Sequence, residues 1–221
     1  MKSGRLLEEG GLTISARSLF NYLTASLLFV CGPLIGAFSD VVLNDGLVAY
    51  YQFEEEEGAE VLVDSTGNGH DSKEVSNIAF GQEGLVGKAA LFSGEGYIVL
   101  NLQMNPADSE GDGEDSGRND FSIEALRRVD PLTATAVVVS QKNDGGMGRS
   151  IFTISTAGTF QSFLGGANSS STVNAIFGTF YHVVLTYDGG KGDETLRFYI
   201  NGEFAGSSNR IAETAKGDWI I

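Results

Sequence analysis

The acidic and amide residues of this chain gather in two glycine-rich loops, and carboxylates set beside exposed backbone carbonyls are what hard cations bind. The first loop reads Asp64-Ser65-Thr66-Gly67-Asn68-Gly69-His70-Asp71. Asp64, Asn68 and Asp71 supply the oxygens that one Ca2+ ion would need, and the glycines expose carbonyls between them. The same residues also suit a metal-free turn, since Asp and Asn side chains fold back onto their own backbone and glycine accepts φ > 0. Both readings stay open at this level. The second loop imitates the start of an EF-hand, with oxygens at Asp108, Glu110 and Asp112 and a glycine at Gly113. Asn119 stands where that pattern requires a bidentate Glu, so the loop reads as a solvated insertion. Nucleophilic chemistry has little to work with. Only His70 and His182 could serve as a base, and no serine lies in a nucleophile-elbow sequence. His182, between Tyr181 and Val183, reads as a hydrogen-bonded structural residue, and His70 as part of a surface turn.

The elements that must carry these loops are short β-strands. Residues 180–202 hold two runs of β-branched and aromatic residues, closed by Asp188-Gly189 and Asn201-Gly202, which is the pattern of antiparallel strands joined by tight turns. Leu196, Phe198 and Ile200 alternate with Arg197 and Tyr199, the period-2 pattern of a half-buried strand. Further strands are expected at 47–53, 87–94, 97–102, 121–125, 136–140, 151–155, 159–164 and 172–177, with a last one at 219–221. Outside the N-terminal segment no helix-period stretch of useful length occurs. The fold class is all-β, a two-sheet antiparallel sandwich.

Thirty glycines, three prolines and 42% apolar residues in 221 suit many strands joined by flexible turns, and one sandwich domain over residues 40–221 accounts for the length. Residues 1–39 read as a signal peptide or membrane anchor: Lys2, Arg5 and Arg17 precede an apolar run from Leu23 to Phe38, and Ala37-Phe38-Ser39 has the small-x-small form of a cleavage site before Asp40. The single cysteine, Cys31, lies inside that segment, so a processed chain would have no disulfide. The expected localisation is secreted or cell-envelope, with membrane contact only through an uncleaved N-terminal segment, and a cysteine-free exported sandwich points to a bacterial source. A net charge of −15 argues against nucleic-acid partners.

Several motifs carry a family resemblance. Phe180-Tyr181-His182 through Thr186-Tyr187-Asp188-Gly189, then Tyr199-Ile200-Asn201-Gly202, together with the 64–71 loop, Gly87 to Gly94 and Phe121 to Ala125, resemble the laminin-G-like jelly-roll domains of the concanavalin-A-like lectin/glucanase superfamily. The resemblance covers residues 46 to about 206. It implies a jelly-roll sandwich, a non-catalytic module binding extracellular glycan or protein, and a structural calcium held by the 64–71 loop with an acid near the C-terminal strand. It also implies a further strand beyond Ile221, so that the chain is expected to be a fragment, and an altered inner packing where Phe180 and Leu126 replace two usual tryptophans. The superfamily's glucanases carry a strand-borne E-x-D-x-x-E; the nearest run here, Glu110 to Glu114, has the wrong spacing and a loop composition, so no catalytic residue is assigned. The alternative is an accessory domain left from a larger glycan-active enzyme or adhesin.

Overall fold

The computed structural model describes residues 46–102, 120–141, 149–189, 192–212 and 217–221. The chain divides into two units, Met1–Tyr50 and Tyr51–Ile221. In the first, residues 46–50 form no strand. Among its described residues the second holds eleven strands: β1 (Ser72–Glu83), β2 (Lys88–Leu100), β3 (Asp120–Val129), β4 (Ala136–Gln141), β5 (Arg149–Ile154), β6 (Thr159–Ser162), β7 (Ser169–Asn174), β8 (Thr179–Asp188), β9 (Leu196–Ile200), β10 (Glu203–Ser208) and β11 (Trp219–Ile220). One short 3-10 turn, Leu164–Gly166, follows β6. Among the described residues no helix is long and apolar enough to cross a membrane.

The strands make two antiparallel sheets, in the orders β1-β2-β11-β4-β5-β6-β7 and β10-β9-β8-β3. This is the all-β sandwich that the alternation predicts. Tyr181, Val183, Leu185 and Tyr187 of β8 are buried alternately, as are Leu196, Phe198 and Ile200 of β9, because successive residues of a strand face opposite ways. They meet Phe152, Ile154 and Phe160 in a single core that also takes in Phe80, Ile98 and Trp219. Asn201 and Gly202, at φ 53° and 82°, close β9 onto β10 in a two-residue turn whose left-handed backbone matches the strand twist.

Three expectations need correction. The strand at 47–53 is absent from the described residues except for one bridge from Tyr51 to Asp64, and Phe53 at φ 59° breaks the extended backbone. Residues 87–94 and 97–102 are mostly one strand, β2, and its partner β1 escaped the period-2 reading because three register irregularities interrupt the pairing. Leu126 and Phe180 do not alter the inner packing. Both lie on the outer face of the four-stranded sheet, where Leu126 is 50% exposed and Phe180 sits beneath the Arg128 guanidinium.

Candidate functional site

The 64–71 loop is held chiefly by its own side chains. Asp64 is buried, and its carboxylate accepts hydrogen bonds from the Thr66 amide (3.0 Å), the Thr66 hydroxyl (2.7 Å) and the His70 amide (3.2 Å). The Asp64 amide in turn donates to the Asp71 carboxylate at 2.7 Å. Asn68 lies exposed at the tip, its amide donating to the Thr66 hydroxyl. The His70 ring donates from Nδ1 to the Asn101 carbonyl at 2.8 Å, which fixes its tautomer, and the Asn101 side chain donates to the Gly69 carbonyl. Tyr51 closes the base by donating its hydroxyl to the His70 carbonyl at 2.6 Å. Burial, followed by the nearby Asp64 and Asp71 charges, holds the Tyr51 phenol far above its ordinary range. Asp64 and Asp71 are thus brought together, while Asn68 is exposed. Among the described residues no group of three or more His, Cys, Asp or Glu side chains gathers around a common point. The second acidic loop, from Asp108 to Asn119, lies outside the described residues.

A second constellation occupies the outer face of the four-stranded sheet. Strand registry lines up Glu124, Val184, Tyr199 and Phe204 in one row across β3, β8, β9 and β10. Tyr199 and Phe204 meet edge to face at 5.9 Å, with Phe204 55% exposed. At the other end of the row His182 donates from Nε2 to Glu124 at 2.7 Å. A flanking row adds Arg197, 3.8 Å from Asp188, and Arg128 lies over the Phe180 ring two rows away on the other side. The face therefore offers an apolar, ring-lined end and a charged, hydrogen-bonding end on one rigid sheet. Of the tyrosines and tryptophan that sequence could nominate, Tyr181 and Trp219 are core residues, Tyr51 is committed to the loop, and Tyr97 donates to Glu74 on the β1–β2 pair. Phe204 was missed. The signal was available, since a two-residue Asn201-Gly202 turn forces Tyr199 opposite Phe204.

The hydrogen bond to Glu124 raises the His182 pKa above its ordinary 6.5, burial opposes that, and the Glu124 charge adds to it. A raised folded-state pKa stabilises fully below the unfolded value and is lost as pH rises through the folded value. Wild-type protein should therefore gain on Glu124→Gln at about pH 5.5 relative to about pH 8.5, by under ~1 kcal/mol for so exposed a pair. Urea titrations at the two pH values check this, and an equal difference at both would remove the coupling.

Comparison with known proteins follows the fold. A family model described as the Concanavalin A-like lectin/glucanases superfamily matches residues 105–221. No curated protein sequence matches the chain. Among solved structures, Trypanosoma rangeli sialidase superposes with a TM-score of 0.51 at 21% identity, over 75% of this chain and 26% of the sialidase. A mutant of that sialidase displaying trans-sialidase activity gives 0.52 at 20% identity, over 76% and 26%. A carbohydrate-binding module from Bacillus subtilis gives 0.34 at 13% identity, over 63% of this chain and 81% of the module. The chain spans about a quarter of the sialidase length, and at these identities the likeness concerns the fold alone.

Proposed function

We propose that this chain, which belongs to the concanavalin A-like lectin/glucanase superfamily, is a non-catalytic module that binds glycan on the outer face of its four-stranded sheet. One observation carries the reading: the Tyr199–Phe204 aromatic pair shares a row with Glu124, which His182 of the neighbouring row holds by a hydrogen bond. A sugar ring has an apolar face that packs on aromatic rings and hydroxyls that bond to carboxylate and imidazole, so it fits an amphipathic surface of this kind. Removal of an aromatic anchor commonly costs more than the ~1.4 kcal/mol that makes a tenfold change in affinity. Phe204→Ala and Tyr199→Ala should each weaken oligosaccharide binding by about tenfold or more, measured by calorimetry on hits from a glycan array. Phe163→Ala, at an exposed residue away from this sheet, should leave binding intact. Equal affinity in Phe204→Ala, or no hit in the array, overturns the reading.

An accessory role within a larger glycan-active protein is favoured by one finding, that a segment of similar fold makes up about a quarter of a sialidase chain. We further propose a structural Ca2+ at Asp64, Asn68 and Asp71, supported by the bond that ties the Asp71 carboxylate to the Asp64 backbone amide and by the glycine-rich backbone of the loop. Millimolar Ca2+ would then raise the melting temperature, and no rise would remove the site. Export through residues 1–39 to the envelope or medium completes the proposal. N-terminal sequencing of exported protein should begin near Asp40, and a cytoplasmic chain starting at Met1 would refute it.

A further inference from the structure

The outer face of the four-stranded sheet is laid out in rows that cross the strands, and their spacing limits what can lie there. Neighbouring strands stand about 4.8 Å apart, so Glu124 on β3 and Tyr199 on β9 are two spacings, or about 10 Å, from each other along their row. One pyranose ring covers about one spacing. A single sugar stacked on Tyr199 and Phe204 therefore stops short of Glu124, and Val184 on β8 occupies the step between them. Val184 is apolar and half-buried, so a second ring passes over it without meeting a charge. The bordering row on the Asp188 side is polar. Ser122, Thr186, Arg197 and Ser207 stand opposite one another there on the four strands. Arg197 lies 3.8 Å from Asp188, beyond hydrogen-bond distance, so among the described residues its guanidinium donors stay available. At the β3 end Glu124 accepts from His182 on Oε1, and Oε2 takes no bond among the described residues.

We propose that the ligand is a linear glycan of at least three pyranose units, joined through equatorial bonds, that lies across the strands. One sugar sits on the aromatic pair, one over Val184 and one at Glu124. The inference rests on the glycan-binding reading and adds a length, a direction and a linkage to it. Equatorial bonds keep a chain extended, so that each sugar advances by about one strand spacing and the ring edges present hydroxyls along both flanks. Axial bonds coil the chain and lift it off a level face. The flank on the Arg197 side meets guanidinium and hydroxyl groups, and the opposite flank meets His182 in the next row. Aromatic stacking holds the first sugar, and charge-assisted hydrogen bonds hold the third.

Calorimetry of the full chain tests this with oligomers of one to six units, built from β-1,4-linked glucose, xylose, mannose or N-acetylglucosamine. Oligomers of α-1,4-linked glucose serve as the coiled control. In at least one β-linked series affinity should rise by about tenfold from the disaccharide to the trisaccharide, as a gain of hydrogen bonds to charged groups does. It should level off beyond the tetrasaccharide, where the sheet has been crossed. The α-linked series should show no such step. Glu124→Ala should flatten the step, whereas Phe204→Ala should lower the whole series, and near-UV circular dichroism checks that both variants keep the fold. Affinity that is flat from the monosaccharide onward yet still lost in Phe204→Ala overturns the extended chain and keeps the glycan-binding reading. A step that survives Glu124→Ala, or one of equal size in the α-linked series, overturns the chain as well. Binding to none of the β-linked series does the same, and the glycan array then decides the broader reading by itself.

Discussion

Replacing Trp219 with alanine is expected to remove about 3–5 kcal/mol of stability, as large-to-small changes at buried aromatic positions do. Trp219 is 3% exposed and belongs to β11, a two-residue strand in the middle of the seven-stranded sheet. Its neighbours explain the size of the effect. β11 pairs with Gln141 and Ser140 of β4 on one side and with Val99 of β2 on the other, and Ile98 and Ile221 exchange two backbone bonds at 2.9 and 3.0 Å. The indole meets Phe121 of the opposite sheet edge on at 6.0 Å, and Phe121 packs in turn on Tyr187 at 5.4 Å. Truncation at Trp219 therefore opens a cavity between the sheets at the point where the β1–β2 pair joins the rest. A domain held by a typical ~5–15 kcal/mol cannot absorb much of that. Urea unfolding should show the midpoint falling sharply, and hydrogen exchange should show β1 and β2 amides losing protection before those of β8 and β9. A loss below about 1 kcal/mol would mean that the neighbours collapse into the space.

The parts of the fold legible in sequence are those where local pattern and long-range pairing agree. β8, β9 and β10 combine clean alternation with an Asn-Gly turn, so period and turn type both point to the same hairpin. β1 fails that test because its bulges shift side chains from one face to the other, and Asn77 at φ 54° marks one of them. The final strand at 219–221 could be read from its residues, but its place between β2 and β4 depends on partners distant in sequence, which no local pattern encodes. The candidate sites divide in the same way. The 64–71 turn is local, and Asp64 to Thr66 and His70 spans only a few residues. The Glu124–His182 pair joins residues 58 apart across the β3–β8 ladder, so sequence could assign His182 a hydrogen bond but not its partner or its place on an outer face.

Asp64→Ala should cost about 2–4 kcal/mol even with calcium absent, because two backbone amides and a hydroxyl lose their acceptor at once. Each buried donor left unsatisfied costs about 1–3 kcal/mol, and water reaching the half-exposed Thr66 and His70 offsets part of the sum. The damage should spread beyond the loop. His70 anchors Tyr51 through its carbonyl and Asn101 through its ring, and the Asn101 backbone amide, just past the end of β2, donates to the carbonyl of Asp71, just before β1. Asp64→Asn should fall between wild type and Asp64→Ala, since the amide keeps one acceptor oxygen but turns a donor toward the other N–H groups. Urea titrations in the presence of a chelator measure this cost without any metal contribution. A loss under about 0.5 kcal/mol for Asp64→Ala would show that the turn is shaped by its glycines alone. Repeating the titrations in millimolar Ca2+ separates the two roles of the carboxylate. An ion held by Asp64 should stabilise the wild type and leave Asp64→Ala unmoved, whereas equal stabilisation of both would place the ion elsewhere on this acidic chain.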